Sequence, residues 1–270
     1  MKLIPTGISF LHDLYENKFV IFQLTKRDYA NRYLGSFLGF IWTLIQPVVM
    51  VLIFYFVFVI GFKTGDIRDG VPFIAYLTIG MLVWNLYSEG VTNTTNVFQE
   101  YSYLVKKINF RIAVLPIVKI LSALMTHFIF IGITVVVLVI VGVPFSWWWL
   151  QIFYYLFAMM LFLLGTGWII ASLQVFVKDI AQIVSVLLQF GFWLTPIVWN
   201  FDLLPEKWQF ILKFNPAFYL VEGYRKSFIY HEAFWVYWQS GAYFWGITFI
   251  ILVLGVLLFR KLRPHFADVL

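Results

Sequence analysis

His231 and Glu232 are neighbours, the pairing that opens an H-E-x-x-H zinc helix, but Trp235 stands where the second histidine would be needed. A metalloprotease-type site is thereby excluded. The chain contains no cysteine, which rules out structural disulfides, thiolate metal sites and cysteine nucleophiles. No G-x-x-x-x-G-K-S/T loop is present to cradle a nucleotide phosphate, so ATP is not bound here through a P-loop. There is no Asp-x-Asp diphosphosugar site, and no paired intramembrane carboxylates of the kind a proton-driven carrier often uses. Catalytic, metal-binding and cofactor-binding residues are therefore expected to be absent. His127 lies deep in an apolar run, where a neutral imidazole hydrogen-bonded to a neighbouring helix is expected. Lys119, nearer the end of the same run, is expected to snorkel to the interface. The residue types suggest a passive path moved by a partner rather than an enzyme.

The elements that would build such a path are written in the composition. Hydrophobic residues make up 62% and charged residues 12%, against about 25% charged in soluble domains. This is a membrane protein with little mass outside the bilayer. Aromatic residues reach 21%, and interface belts account for part of that excess. The net charge of +6 sits in short loops, where it sets orientation, so no nucleic-acid partner is expected.

The charged stretch Leu24 to Arg32 leads without an obvious break into an uncharged run over 37–61. Hydrocarbon is roughly 30 Å thick and ~20 apolar residues suffice to cross it. The run exceeds that length, and Pro47 offers a place for a kink. Further spans are expected over 71–91, 115–143, 149–175, 180–199 and 243–259. Ahead of the first span, in the segment 1–36, Ile8, Leu11, Tyr15, Phe19 and Phe22 recur at helical spacing, the pattern of a helix lying in the interface plane. The first span, rather than a cleaved leader, is expected to act as the insertion signal. Gly35 and Gly39, and later Gly165 and Gly167, are candidates for close helix approach. The stretch 88–96 is polar and is expected to leave the apolar layer or line water. Residues 200–240 are too apolar for a solvated loop and are expected to form short re-entrant helices. Basic residues concentrate before the first span, in the 97–111 linker and after the last span. That side is cytoplasmic by the positive-inside rule, which places both termini inside and 200–240 outside. An Asn93-Thr94-Thr95 glycosylation match falls on the cytoplasmic side and is discounted. The expected fold is an all-α integral membrane protein of six transmembrane helices, forming a single domain over 1–270, with an N-terminal interface helix and gate helices between spans five and six.

Three ordered motifs carry a family resemblance across essentially the whole chain. Arg32-Tyr33-Leu34-Gly35-Ser36-Phe37-Leu38-Gly39 with Trp42 and Pro47 is the first. Phe192-Trp193-Leu194-Thr195-Pro196-Ile197-Val198-Trp199 is the second, and Asn215-Pro216-Ala217-Phe218 with Gly223-Tyr224-Arg225 the third. Together they resemble the membrane subunit of ABC-2 type exporters, in the branch that handles O-antigen, capsular polysaccharide and wall teichoic acid. The linker departs from the family pattern, with Phe110-Arg111 where a Phe-Pro is usual and Pro116 further on.

The resemblance implies a homodimer working with two copies of a separate ATPase subunit, which would hold the ATP and Mg; no cofactor belongs to this chain. It implies a coupling helix between spans two and three and outward gate helices before the last span. On that basis Lys26, Arg27, Asp28, Arg32, Glu100, Lys106, Lys107 and Arg111 are candidates for ATPase contact. Tyr33, Trp42, Gln46, Phe192 and Trp193 are candidates for the substrate path, and Asn215, Pro216, Tyr224 and Arg225 for the outward gate. The implied substrate is a lipid-linked polysaccharide threading between two copies in a bacterial inner membrane. Export of teichoic acid or of a small amphiphile is the alternative within the superfamily; a membrane-embedded glycan-processing enzyme or a channel belongs to another class.

Overall fold

The fold is known from a computed structural model that describes residues 12, 14–67, 70–106 and 111–270. Among these, regular structure is helical, with one isolated antiparallel bridge between Ile67 and Val71. Ile8, Leu11 and Lys107 lie outside the described residues.

Helix α1 is Lys18–Asn31. It does not run unbroken into the first apolar helix, as the sequence suggested. A turn intervenes, in which Gly35 and Gly39 hold φ of +81° and +50°, a region glycine enters without steric cost. Nothing lies within 4 Å of where a Cβ would stand on either residue. These glycines therefore make a corner, and the expectation that they mark close helix packing is corrected. The corner lets α1 fold back onto the helix Leu115–Ile140.

Helix α2, Trp42–Tyr55, contains Pro47 and continues as a π-helical turn over Phe56–Gly61. Next come α3 (Phe73–Thr95), α4 (Leu115–Ile140), α5 (Ile152–Gln174) and α6 (Ile180–Leu194). The short helices α7 (Glu206–Leu212) and α8 (Pro216–Arg225) precede α9 (Trp238–Leu262). Helical runs over Gly39–Gly61, Ile112–Ile140, Trp147–Gln174 and Phe234–Val269 are long and apolar enough to cross a membrane. Helix α6, with 15 residues, is shorter. Helix α3 has the length but carries Asn85, Ser88, Glu89, Thr92 and Asn93 along its second half.

That least apolar long helix is the centre of the fold. It packs against α2, α4, α5, α6 and α8, and most of its side chains from Phe73 to Leu86 are buried. In an apolar solvent polar groups turn toward the protein interior, so a polar helix takes the middle. By contrast, α2 and α6 leave most of their apolar side chains exposed, Pro47, Val51 and Val184 being the buried exceptions.

Two glycine contacts hold the rest together. A Cβ on Gly255 of α9 would stand 2.7 Å from the Gly165 carbonyl oxygen of α5, and one on Gly167 would meet Thr94 at 3.2 Å. Gly165 and Gly167 thus do allow the close packing their spacing suggested. Gly223 of α8 lies flat against the Tyr155 ring, where a Cβ would stand 2.1 Å away. Gly223→Ala must push a buried ring aside, and overpacking of this kind costs about 1–3 kcal/mol. A lowered melting temperature of the detergent-purified protein is expected; an unchanged one would contradict the α8–α5 contact.

Candidate functional site

A groove of about 950 Å³ runs between α2, α3 and α6. Tyr33, Trp42, Gln46, Phe192 and Trp193, far apart in the sequence, all line it. Its aromatic wall is continuous: Phe192 lies 5.7 Å from Phe54, 5.9 Å from Trp84 and 5.3 Å from Trp193, centroid to centroid. The opposite wall is polar. Asn85, Ser88, Glu89, Thr92 and Asn93 recur at three- and four-residue spacing along α3, so they share one face. Gln189 of α6 joins them. Trp42, Gln46 and Trp193 are exposed, so the groove opens at the surface of the chain. Rings offer flat faces to C–H groups, and amides and hydroxyls exchange hydrogen bonds with hydroxyls. Such a lining suits a polyhydroxylated chain held by many weak contacts.

The charges in the groove are paired and sit at one end. Arg32 donates to a Glu89 carboxylate oxygen and, at 2.9 Å, to Ser122 Oγ. Its guanidinium is also 3.6 Å from Asp28. From Asp28 the network goes inward: Lys119 Nζ is 2.7 Å from Asp28 Oδ1 and also bridges to Glu100. Tyr101 donates to Asp28 Oδ1 at 3.0 Å. Burial opposes charge on Asp28, but the Lys119 hydrogen bond and its positive charge, with Ser122 and Tyr101, outweigh it and hold the carboxyl below its ordinary range. Burial pushes the Tyr101 phenol up, and the neighbouring Asp28 charge adds to that. Seven side chains thereby tie the end of α1 to α3, to α4 and to the short helical turns Val97–Glu100 and Ser102–Val105 that follow α3.

Lys119, only 7% exposed, does not snorkel; its ammonium is consumed by two carboxylates inside the protein. Asp28 is likewise buried, at 5%, and Arg32 points into the groove. Lys26, Arg27, Lys106 and Arg111 are exposed, while Glu100 is half exposed and half engaged.

At the far end of α3, α8 is locked in place. Asn215 caps it, its side-chain oxygen accepting from Ala217 N at 3.0 Å, and Pro216 fills the first helical position. The Asn215 amide also donates to Thr195 Oγ1 at 2.8 Å, joining α8 to the end of α6. Tyr224 meets His127 Nε2 at 3.1 Å, the interhelical hydrogen bond expected of that histidine. Arg225 is fully buried; it donates to Glu222 at 2.7 Å and to the Ile197 carbonyl at 3.1 Å, and it stacks on the Tyr76 ring at 3.3 Å.

Glu89, Ser122, Asn85 and Gln189 were not placed at a site by sequence reasoning, and Lys119 was read only as a snorkelling cation. A signal existed for three of them. Asn85 and Glu89 fall at helical spacing on the polar stripe that ends in SEGVTNTTN, and Lys119 is a cation set inside an apolar run. Nothing local marked Ser122 or Gln189.

The description of an ABC-2 type transporter matches residues 20–229, most of the chain and all of the groove. The chain belongs to the ABC-2 type transporter family. As a member of it, the chain is a transport subunit rather than an enzyme, and its apolar helices make it a multi-pass membrane protein. It is 28% identical to the O-antigen export system permease protein RfbA of Klebsiella pneumoniae over 267 residues, covering 98% of this chain and 97% of that one. It is 25% identical to the RfbA protein of Myxococcus xanthus, over 83% and 86% of the two chains. The inner membrane transport permease YadH of Escherichia coli K12 is 24% identical over 69% of this chain and 75% of its own.

Proposed function

We propose that this chain is the permease subunit of an ATP-driven exporter that moves a lipid-linked polysaccharide of O-antigen type across the bacterial inner membrane. The observation that carries this is the groove: five path candidates chosen from separate motifs line one cavity, with an aromatic wall facing an amide and hydroxyl wall. The full-length likeness to proteins named O-antigen export permeases gives the same reading.

In this reading α2, α3, α4, α5, α6 and α9 are six spans and both termini are cytoplasmic. Two copies face one another across their exposed α2 and α6 surfaces, closing the groove into a path that neither copy completes alone. Two ATPase subunits dock from the cytoplasm on Lys26, Arg27, Lys106, Lys107 and Arg111, and hold the ATP and Mg. Asp28, Arg32 and Glu100 act one layer deeper, passing ATPase movement through Lys119 and Glu89 to α4 and the groove. Asn215, Pro216, Tyr224 and Arg225 hold the outward gate.

The test is the purified permease with its ATPase partner in lipid nanodiscs. Lipid-linked glycan from the host is expected to stimulate ATP hydrolysis, and a small amphiphile is not. In the Trp42→Ala/Phe192→Ala variant the stimulation should fall at least about tenfold, the loss of roughly one good contact's worth of free energy, with basal hydrolysis retained. Stimulation by the amphiphile alone would assign the complex to small-molecule export. ATP-independent flux through liposomes would make it a channel.

A further inference from the structure

A second cavity, of about 320 Å³, lies beyond the groove at the Tyr76 end of α3, enclosed by α7, α8 and the chain around Asn200 and Tyr237. It shares no lining residue with the groove. Aromatic rings from Tyr76, Tyr155, Phe201, Phe218, Tyr219 and Tyr237 face into it alongside carboxylates and amides.

Its walls are held rigidly. Tyr219 stacks on Phe244 at 4.8 Å, and its hydroxyl lies 3.1 Å from that of Tyr154, which in turn accepts from Trp245 at 2.8 Å. Glu222 lines the cavity with one carboxylate oxygen anchored by the buried Arg225. That leaves its second oxygen to act as an acceptor at a fixed position. Lys226 sits over the Tyr237 ring at 2.8 Å, and Lys213 lies 5.9 Å from the Phe201 ring. Burial pushes the Lys226 ammonium down to about 8, against the pull of Glu222 and Glu232; the lysine is poorly hydrated but still largely charged at neutral pH.

The charge balance selects the ligand. Asp202, Glu222 and Glu232 are balanced by Lys213, Lys226 and the Arg225 that pairs with Glu222, so the site carries no surplus positive charge to draw a phosphate or other anion. Among the described residues no group of His, Cys, Asp or Glu is clustered tightly enough to hold a metal ion. Flat rings, anchored carboxylates and amides are the groups that recognise a neutral, hydroxylated ring.

We propose that this cavity is a second glycan subsite, which takes one or two sugar units of the exported polymer by stacking them on the exposed Tyr237 ring and accepting their hydroxyls at Glu222. This rests on the polysaccharide reading of the groove. It adds a holding point after the groove, so that the chain is kept from slipping back between ATPase strokes.

The experiment uses the permease–ATPase complex in nanodiscs. The probe is oligosaccharide freed by mild acid from the host's own lipid-linked polymer, with maltotriose and inorganic pyrophosphate as comparisons. Wild type should bind the oligosaccharide in a titration and bind maltotriose more weakly. Ser240→Trp places an indole at the exposed mouth of the cavity without touching the core, and should weaken binding at least about tenfold. Glu222→Gln should weaken it less, because the amide keeps an acceptor. The Trp42→Ala/Phe192→Ala variant removes the groove's contacts, and the oligosaccharide binding it retains should be abolished when Ser240→Trp is added. Loss of binding in the groove variant but not in Ser240→Trp would overturn the proposal, as would displacement of the sugar by pyrophosphate or equal binding of maltotriose. If intact lipid-linked polymer stimulates hydrolysis while no oligosaccharide binds, the second subsite fails and the export reading stands. If the polymer stimulates nothing, the export reading fails first.

Discussion

Lys119→Met is expected to lower stability by about 3–5 kcal/mol, and the double variant Asp28→Asn/Lys119→Met to recover most of that loss. The asymmetry follows from where the two groups sit. Asp28 is buried and is held ionised mainly by the Lys119 ammonium 2.7 Å away. Removing the lysine alone leaves a carboxylate in a poorly solvated place with only Tyr101, Ser122 and a more distant Arg32 to compensate. Removing both charges deletes the desolvation penalty along with the attraction. Glu100 loses its partner in either variant, but it is half exposed and water can take over. Unfolding of the protein in detergent, followed by tryptophan fluorescence, reads the three variants. Simple additivity of the two single losses would contradict a coupled pair. The double variant has a second use. It keeps the fold but removes the tie between α1, α4 and the linker, so glycan-stimulated hydrolysis should fall although the protein still assembles.

Much of this was legible in the sequence, for identifiable reasons. Uncharged runs announced the apolar helices because nothing else tolerates so many consecutive apolar residues. The two short helices between Pro205 and Arg225 could be expected because an aromatic-rich stretch of that length cannot remain solvated loop. Tyr33, Trp42, Gln46, Phe192 and Trp193 could be chosen from motifs, and they do share one cavity. What the sequence hid was orientation. A charge near the end of an apolar run reads equally well as a snorkelling anchor or an internal strut, and only the position of Asp28 on a separate helix made Lys119 the latter. Gly35 and Gly39 fit a packing motif and a corner alike, and φ decides between them. The central place of α3 was also hidden, because hydropathy ranks a helix by how well it suits lipid, while the middle of a membrane protein goes to the helix that suits lipid least.

Arg225→Lys is expected to cost at least about 2 kcal/mol and to recover less than half of what Arg225→Met loses, although charge is conserved. The guanidinium reaches three elements at once. One nitrogen donates to Glu222; another donates to the Ile197 carbonyl, with a longer contact to that of Tyr76 at 3.3 Å. Its plane lies on the Tyr76 ring. An ammonium is a point, so it can satisfy the carboxylate or the carbonyls but not both, and it has no face to stack. Room for the planar group is provided by Gly80, where a Cβ would stand 2.8 Å from the Arg225 Nη2 atom and 3.1 Å from the Ile197 carbonyl. Gly80→Ala should therefore damage the protein through Arg225. Combined with Arg225→Lys it should cost clearly less than the sum of the two single losses, whereas independent sites would add. Melting temperatures of the four proteins in one detergent decide this. The same set bears on transport, because Arg225 fixes Glu222 in the second cavity and fixes Ile197 at the end of the stretch that leaves the groove. If the arginine is what keeps these two walls in register, oligosaccharide binding should weaken in Arg225→Lys at temperatures well below its melting point, where the protein is still folded.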